Sequence, residues 1–318
     1  MTSVLPDVSS PPLVSTARAV VDCYAVLDRT MVGAGLSDLT EGLYAGDPER
    51  PYEQAQAAQA AALVDRTLVA AGGRILDIGC GYGRVLRECA RRGIVATGVT
   101  VSPQQARVDR DQGLDVHLSD YRSLDHGWTG RFDGLVANGS LEHFAQTADA
   151  VSGQDDHVYR GFFAVAHRLL GKRDGRLVTT AIHFVDRPDP RELLRDPLTF
   201  PAHTAARHLA NLQHTFGGWY PTLGQLERCA AGQFELIDEE DGTEDYRLTS
   251  EYWIQASKRA LLTVDGVRLW WRLAASALWY PSALRQVLRC AFLDESWNWQ
   301  FRGAPPPTRL LRQTWRQR

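Results

Sequence analysis

The chain has 318 residues, of which 44% are hydrophobic and 23% are charged. These proportions are ordinary for a globular protein and exclude collagenous, disordered and membrane-spanning classes. The formal net charge of -3 argues against a nucleic-acid-binding protein. The five cysteines are widely spaced and include no CxxC pair, so we predict neither a disulfide framework nor a metal site. The N-terminus lacks a basic segment followed by an apolar one, and we therefore expect a cytoplasmic protein.

The N-terminal part of the chain is predicted to be a tail followed by helices. Residues 1–15 are rich in Ser, Pro and Val and are expected to form a disordered tail. Apolar residues at helical spacing in Thr16–Val32, and the Ala- and Gln-rich segment Tyr52–Ala71, predict two helices. We assign residues 16–72 to an N-terminal helical lid.

Short runs rich in β-branched residues follow, and helical segments separate several of them. Strands that alternate with helices predict an α/β domain with a parallel sheet covered on both faces, which we assign to residues 73–245. The predicted strands are RILDI, IVATGVTV, LDVHL, FDGLVA, GRLVTTAI and FELIDEE.

Residues 246–318 are predicted to form a C-terminal helical region with a last strand and a basic tail. Arg247–Leu293 is helical in pattern and broken at Pro281, whereas Trp297–Phe301 alternates like a strand. The region carries 12 Lys and Arg against 4 Asp and Glu, which favours contact with an anionic group. For its tryptophans, core packing, a lid over an apolar substrate and attachment to a membrane surface all stay open.

A glycine-rich loop is the most informative segment. A predicted strand ends at Asp77, and Gly79, Gly81 and Gly83 precede a helix, so the backbone can approach a ligand closely beside a helix N-terminus. An acid two residues before the first glycine repels a pyrophosphate and attracts an ammonium group. The next strand ends in Thr100, where a dinucleotide fold usually has an acid for the ribose. The pattern therefore disfavours NAD.

These motifs resemble those of a known family. The Asp-x-Gly-x-Gly-x-Gly loop resembles the S-adenosylmethionine loop of class I methyltransferases. GVTVSPQQ, LSDYRSL, FDGLVANGSLEHF and FELIDEEDGTEDYRLTSEYW are similar to successive motifs of the cyclopropane-fatty-acid synthase and mycolic acid methyltransferase family, over about residues 35–255. The resemblance implies S-adenosylmethionine as cofactor and a Rossmann-like, seven-stranded methyltransferase sheet with an N-terminal helical lid and inserted C-terminal helices.

The resemblance also implies site residues. Glu142, Tyr246 and His143 are the expected catalytic residues, and Glu142 follows a strand at the sheet edge where open α/β folds bind ligands. A helix cap for Glu142 and His143 and a core position for Tyr246 are the structural alternatives. The expected cofactor contacts are Asp77, Gly79, Cys80, Gly81, Thr100, Ser102, Gln105, Asp120, Tyr121 and Asn138, with Cys80 expected to pack rather than act as a nucleophile.

The sequence departs from the family pattern at two positions. The bicarbonate-binding cysteine of the family has no counterpart in Leu36–Tyr44, and the family histidine after the fifth strand aligns with Thr180, although His183 is close by. We therefore expect activity that does not depend on bicarbonate.

The predicted reaction is methyl transfer to an olefinic carbon of a lipid-like or isoprenoid substrate, through a carbocation that Glu142 stabilises, giving methylation or cyclopropanation. Methyl transfer itself needs no metal. Two alternatives stay open: an O- or N-methyltransferase of a small secondary metabolite with His143 as base, and a scaffold that binds S-adenosylmethionine without methylating. The expected partner is an apolar small molecule or lipid rather than nucleic acid; peripheral membrane contact and homo-oligomerisation stay open.

Overall fold

The computed structural model describes residues 22–30, 33–36, 38–171, 174–263 and 266–318. The predicted tail lies outside these residues, as does the start of the first predicted helix. Seven strands are present in the described ranges: β1 (Arg74–Ile78), β2 (Val95–Thr100), β3 (Val116–Leu118), β4 (Gly134–Asn138), β5 (Arg176–Phe184), β6 (Phe234–Asp241) and β7 (Thr308–Gln317).

The helices lie between and around these strands. Short helical turns occur at Tyr121–Ser123, His126–Trp128, Leu141–His143 and Pro197–Thr199, and Arg289–Leu293 forms a π-helical turn. The α-helices are α1 (22–30), α2 (Tyr52–Thr67), α3 (Arg84–Arg91), α4 (Pro103–Asp111), α5 (Thr147–Ser152), α6 (Asp155–Leu169), α7 (Pro190–Leu193), α8 (Ala205–Phe216), α9 (Gln225–Ala230), α10 (Thr243–Leu261), α11 (Gly266–Trp279), α12 (Pro281–Leu288) and α13 (Ser296–Trp299).

The strands form one sheet in the order β3-β2-β1-β4-β5-β7-β6. β1 to β5 pair in parallel with one another. β7 lies between β5 and β6 and runs antiparallel to both. β1 lies between β2 and β4, so the strand order reverses beside it. In open α/β sheets, ligands bind outside the carboxyl ends of the strands at such a point.

Neighbouring residues of the central strands pack on opposite faces of the sheet. Leu76 and Leu135 belong to the core cluster that includes Phe162 and Phe163 of α6. Ile75 belongs with Val136 to a second cluster, which includes residues of α2 and α3. Each central strand is therefore buried on both sides, as the sequence predicts.

The last strand lies further along the chain than the sequence predicts. Trp297–Phe301 is not a strand: α13 covers most of it, and Trp297 packs against Trp253 with ring centroids 5.1 Å apart. The predicted basic tail instead forms β7, in the interior of the sheet. The arginines of this segment suggest solvent exposure in the sequence, which is why the strand is missed there.

Acidic side chains of β6 and α10 compensate the positive charge of β7. Arg316 lies 2.7 Å from Glu235. Arg312, only 1% exposed, lies 2.8 Å from Asp245 and 3.2 Å from Glu240. The anionic partner that the C-terminal charge predicts is thus, in large part, the neighbouring strand.

Helices α10 to α13 are inserted between β6 and β7 and pack on the N-terminal helix. Val26 and Leu27 of α1 form a core cluster with Trp253 of α10 and Val287 of α12. Pro281 begins α12, at the predicted break. In the described part of the chain, no helix is long and apolar enough to cross a membrane.

Arg312→Ala should lower the free energy of unfolding by about 3 kcal/mol, because it leaves the buried carboxylate of Asp245 without its cation. Urea unfolding would measure the change. Arg309→Ala is the matched control, since Arg309 is on the same strand but is partly exposed and 3.7 Å from Asp241. Equal small losses in both variants would show that the buried ion pair does not hold the sheet together.

Candidate active site

The glycine loop joins β1 to α3 with an unusual backbone. Gly79, Gly81 and Gly83 have φ values of +84°, +56° and +69°, in the left-handed region that favours glycine. A Cβ atom on Gly81 would meet no atom within 4 Å. The loop therefore presents bare backbone to open space next to the N-terminus of α3, where a ligand can lie against it.

Asp77 lies buried beneath this loop. Its Oδ1 has no hydrogen-bond partner among the described residues. Burial, and then the nearby Asp109, raise the pKa of Asp77 to about 7. Both carboxylate oxygens of Asp109, a residue that sequence reasoning missed, also lack a partner. Unpaired buried carboxyl groups favour a bound cation, and the ammonium group of S-adenosylmethionine fits this requirement.

The Cys80 side chain packs against Gly98 of β2 and does not face a ligand. A Cβ atom on Gly98 of β2 would lie 2.7 Å from the Cys80 Sγ atom. Burial is the main cause of a raised pKa of the thiol, so the group stays protonated. Only the backbone of Cys80 remains as the predicted cofactor contact.

Three predicted contacts meet at the end of β2. The Thr100 hydroxyl donates a 2.7 Å hydrogen bond to Oε1 of Gln105, and the Ser102 hydroxyl oxygen accepts from the Gln105 backbone N–H. Ser102 thereby caps α4. The cap and the side-chain contact hold the polar groups at the same sheet edge as the glycine loop.

Asp120 and Tyr121 follow β3. Asp120 caps a helical turn and pairs with Arg122, whose hydrogen bonds lower the pKa of the carboxyl group. The Tyr121 ring is buried, with its centroid 4.4 Å from that of Phe144 and 5.7 Å from that of Phe162. These rings form an aromatic wall at the position predicted for the adenine.

A polar network spans the ends of β4 and β5. Asn138 accepts a 2.8 Å hydrogen bond from Thr180 and a longer one from Gln59. Gln59 also donates to Oε1 of Glu41 at 2.7 Å and accepts from Arg312 at 2.9 Å. Sequence reasoning missed Glu41, Gln59 and Arg312 as parts of the site.

A signal for part of this network was present in the sequence. Tyr52, Gln56, Gln59 and Leu63 recur at helical spacing and are buried on one face of α2. Two glutamines on a core-facing stripe indicate buried polar partners, because an unpaired buried amide is costly.

Glu142 lies in the turn Leu141–His143, directly after β4. It is 4% exposed, and its Oε2 has no hydrogen-bond partner in the described ranges. Burial is the main cause that raises the pKa of Glu142 to about 8, and the charge of Glu41 adds to it. A Cβ atom on Gly139 would lie 3.7 Å from Glu41 Oε2 and 3.9 Å from Glu142 Oε1. The two carboxyl groups therefore converge on one spot.

The backbone of Glu142 is held from the loop after α8. The Trp219 N–H donates to the Glu142 carbonyl oxygen at 3.0 Å. Gly218 has a φ of +74°, and a Cβ atom there would lie 2.1 Å from the same oxygen. Only glycine permits so close an approach.

Four tyrosines lie close enough to Glu142 for its charge to raise their pKa, namely Tyr24, Tyr159, Tyr220 and Tyr246, and sequence reasoning found only Tyr246. Burial is the larger cause of the raised pKa of Tyr220 and Tyr246, whereas Tyr24 is 36% exposed. The Tyr246 ring packs edge-on against Phe301 at 4.6 Å. The site thus combines two carboxyl groups with aromatic walls.

His143 and His183 have different hydrogen-bond partners. His143 Nε2 lies 3.2 Å from the Tyr24 hydroxyl, and burial lowers the pKa of its ring. His183 is fully buried, its Nδ1 lies 2.9 Å from the Ala181 carbonyl oxygen, and burial lowers its pKa to about 4. Because side chains alternate along a strand, His183 and Thr180 lie on opposite faces of β5. His183 therefore does not take the place of the family histidine.

Comparisons with known proteins agree with this geometry. Residues 43–266 match the family model of mycolic acid cyclopropane synthetase. The chain is 36% identical over 240 residues to the cyclopropane-fatty-acyl-phospholipid synthase of Escherichia coli, covering 69% of this chain and 57% of that protein. It is 29% identical over 248 residues to a probable fatty acid methyltransferase of Pseudomonas putida, covering 72% of this chain and 56% of that protein. The chain thus spans little more than half the length of these relatives.

The fold is also that of a solved structure. The mycolic acid cyclopropane synthase CmaA1, complexed with SAH and CTAB, superposes with a TM-score of 0.69 at 20% identity, covering 96% of this chain and 99% of that chain. The predicted fold and family are confirmed, since the family model spans more than half of the chain and the solved structure superposes over nearly all of it. The chain belongs to the mycolic acid cyclopropane synthetase family of S-adenosylmethionine-dependent methyltransferases.

Proposed function

We propose that this enzyme methylates an olefinic carbon of a lipid-like or isoprenoid acceptor through a carbocation, which then yields a methylated alkene or a cyclopropane. The observation that carries the proposal is Glu142, a buried carboxyl group with an unpartnered oxygen, whose charge acts on Tyr24, Tyr220 and Tyr246. It follows β4, the neighbour of β1, so it lies at the sheet edge that holds the glycine loop.

The cofactor supplies an electrophilic methyl group when it is bound. We assign Asp77 to its ammonium group and the backbone of Gly79, Cys80 and Gly81 to its methionine part. Asn138 completes this end of the site. Thr100, Ser102 and Gln105 are assigned to the ribose and methionine parts, and Asp120 and Tyr121 to the adenosine part.

Glu142 is assigned to balancing positive charge on the acceptor. A cation next to a buried carboxyl group lowers its pKa. Glu142 therefore gives up its proton to water when the positively charged cofactor binds, and is an anion before charge develops on the acceptor. A fixed anion in a water-excluded site stabilises such charge by several kcal/mol. The faces of Tyr24, Tyr220 and Tyr246 add attraction for a cation without reacting with it.

The space beside Tyr220 is mostly apolar. A cavity of about the size of one water molecule lies next to this residue, between β5, α7 and α8, and its mostly apolar lining is more compatible with a hydrocarbon than with a polar metabolite. It is lined by Phe184, Leu193, Leu209, Leu212, Gln213, Gly217 and Tyr220.

His143 is assigned to orienting Tyr24 through their 3.2 Å contact. For an acceptor with an ionisable O–H or N–H, the unprotonated ring of His143 would instead serve as the base. In that case His143→Ala abolishes methyl transfer, whereas Glu142→Gln spares it.

We also propose that α11 rests on an anionic lipid surface. Val267, Trp270, Trp271 and Leu278 are exposed along one stripe of this helix, while Leu269 on another face is buried. Residues 266–293 contain four Arg and no Asp or Glu. A solvent-facing stripe of Trp and Leu in an acid-free, basic segment matches the chemistry of an anionic membrane interface.

Asp77→Asn should weaken S-adenosylhomocysteine binding at least tenfold, since a hydrogen bond to a charged group contributes about 1.5–3 kcal/mol. In the wild type, affinity should rise as the pH increases through about 7, because Asp77 must lose its proton to pair with the ammonium group. Asp77→Asn should not show this rise. Calorimetric titration measures both effects, with exposed Asp111→Asn as control. Tight NAD binding without S-adenosylhomocysteine binding would refute the assignment.

Glu142→Gln should lower kcat about a hundredfold or more while leaving cofactor affinity unchanged, because it keeps the shape of the side chain and removes its charge. The assay is mass spectrometry of acceptors after incubation with isotopically labelled S-adenosylmethionine. Near-normal turnover would leave Glu142 a structural role only.

A second measurement on Glu142→Gln does not need the reaction. The pKa of Glu142 is about 8 in the folded protein against an ordinary value of 4.5, so unfolding releases its proton between these values. The stability of the wild type should therefore fall, relative to Glu142→Gln, as pH rises through this window. The limiting slope is about 1.4 kcal/mol per pH unit. Parallel stability curves would contradict a neutral buried carboxyl group.

The combined variant Trp271→Ser and Leu278→Ser should reduce binding to phosphatidylglycerol vesicles several-fold, and Arg272→Gln should reduce its salt dependence. Vesicle sedimentation measures the bound fraction. Leu198→Ser is the control, because Leu198 is 56% exposed but lies on another helical turn. Unchanged vesicle binding would overturn the proposal, as would a lipid-free dimer that the combined variant abolishes.

A further inference from the structure

We infer that Glu41 is a second catalytic carboxylate, which accepts the proton that the carbocation loses. The inference rests on the proposed function and assigns the deprotonation step within it. Glu41 precedes α2, in the segment where the family cysteine is missing, and it is 3% exposed.

The first argument is geometric. Glu41 Oε1 accepts the Gln59 amide at 2.7 Å, so that bond fixes the side chain and leaves Oε2 as the second oxygen. Glu41 Oε2 and Glu142 Oε1 lie 3.7 Å and 3.9 Å from the position that a Cβ atom on Gly139 would occupy. A group bound there meets both carboxyl groups at once.

The second argument is that their surroundings differ. Burial is the main cause that raises the pKa of both carboxyl groups. The Arg312 guanidinium group opposes this rise at Glu41, whereas backbone N–H groups oppose it at Glu142. The other ionisable groups facing Glu41 are Asp245, which opposes its charge, and Tyr246. Two neighbouring carboxyl groups in unequal environments divide into one that carries a proton and one that accepts it.

The step is a proton transfer and balances without another reactant. A C–H bond beside the cationic carbon breaks, and its electron pair forms the new double bond. If the proton leaves the added methyl group, the pair instead closes the ring. The proton passes to Glu41 Oε2, which becomes a neutral carboxylic acid and later returns the proton to water.

The test compares Glu41→Gln with Asp155→Asn. Gln at position 41 can still accept the Gln59 amide, so the fold is preserved while the base is lost. Asp155 is likewise a buried carboxylate that accepts an amide N–H, from Gln225. With dioleoyl phosphatidylglycerol vesicles as acceptor, Glu41→Gln should reduce kcat by a factor of about 10² to 10⁴, and Asp155→Asn should leave it unchanged. Wild-type turnover in Glu41→Gln would overturn the inference.

Chemical rescue provides the second arm. Glu41→Ala removes the carboxylate, and added formate or bicarbonate should restore part of its turnover. The wild type in buffer stripped of carbon dioxide should be insensitive to bicarbonate. A several-fold activation of the wild type by bicarbonate would show that a free anion is the base, and would overturn the role of Glu41.

A third measurement separates failure of this inference from failure of the proposed function. Infrared titration of the ligand-free protein should show, beside the band of Asp77, a second carboxylic acid band at pH 7 that Glu142→Gln removes and Glu41→Gln retains with a lower pKa. Loss of the second band in Glu41→Gln would show that Glu41 holds the proton and is not the base. A wild type that methylates no olefin would overturn the proposed function alone, because the infrared result stands without turnover.

Discussion

Arg312 is a cation in the interior of the sheet, and the arrangement of the site depends on how its charge is compensated. The guanidinium group lies against Asp245 and Glu240, and its Nε donates to Gln59. Gln59 in turn donates hydrogen bonds to Glu41 and Asn138. Parts of the chain that are more than 250 residues apart are joined in this way. Because a buried charge without partners costs several kcal/mol, the chain cannot place Arg312 without also placing these groups.

This arrangement explains how the enzyme keeps the carboxyl groups of Glu41 and Glu142 close together although both are buried. Glu41 lies within the field of Arg312, whereas Glu142 stays neutral until a cation arrives. Asp77 and Asp109 repeat the pattern beneath the glycine loop, with burial again the leading cause of their raised pKa values. In the free protein, burial therefore destabilises the ionised form of the carboxyl groups at both ends of the site, and a cationic ligand stabilises that form.

The sequence was sufficient for six of the seven strands and for the loop, because these depend on local patterns. Alternation of strands and helices located β1 to β6, and the resemblance of the Asp77 to Gly83 loop to the S-adenosylmethionine loop of class I methyltransferases implied the cofactor. Glu142 and Tyr246 came from motif resemblance, and the structure places them together. Glu41, Gln59 and Arg312 were missed because they meet only through β7, whose charges suggested an exposed tail. His183 was misleading, since distance along a strand does not reveal the face on which a side chain lies.

The contact between Gly218 and Glu142 has an evolutionary consequence. The carbonyl oxygen of Glu142 lies so near to residue 218 that any side chain there would push the turn carrying Glu142 away. Displacement of a reactive group by about 1 Å can cost a hundredfold in rate. Selection for the position of Glu142 therefore also acts on residue 218, which lies 76 positions further along the chain and carries no reactive group. The path of the loop past Glu142 therefore cannot drift without changing the chemistry.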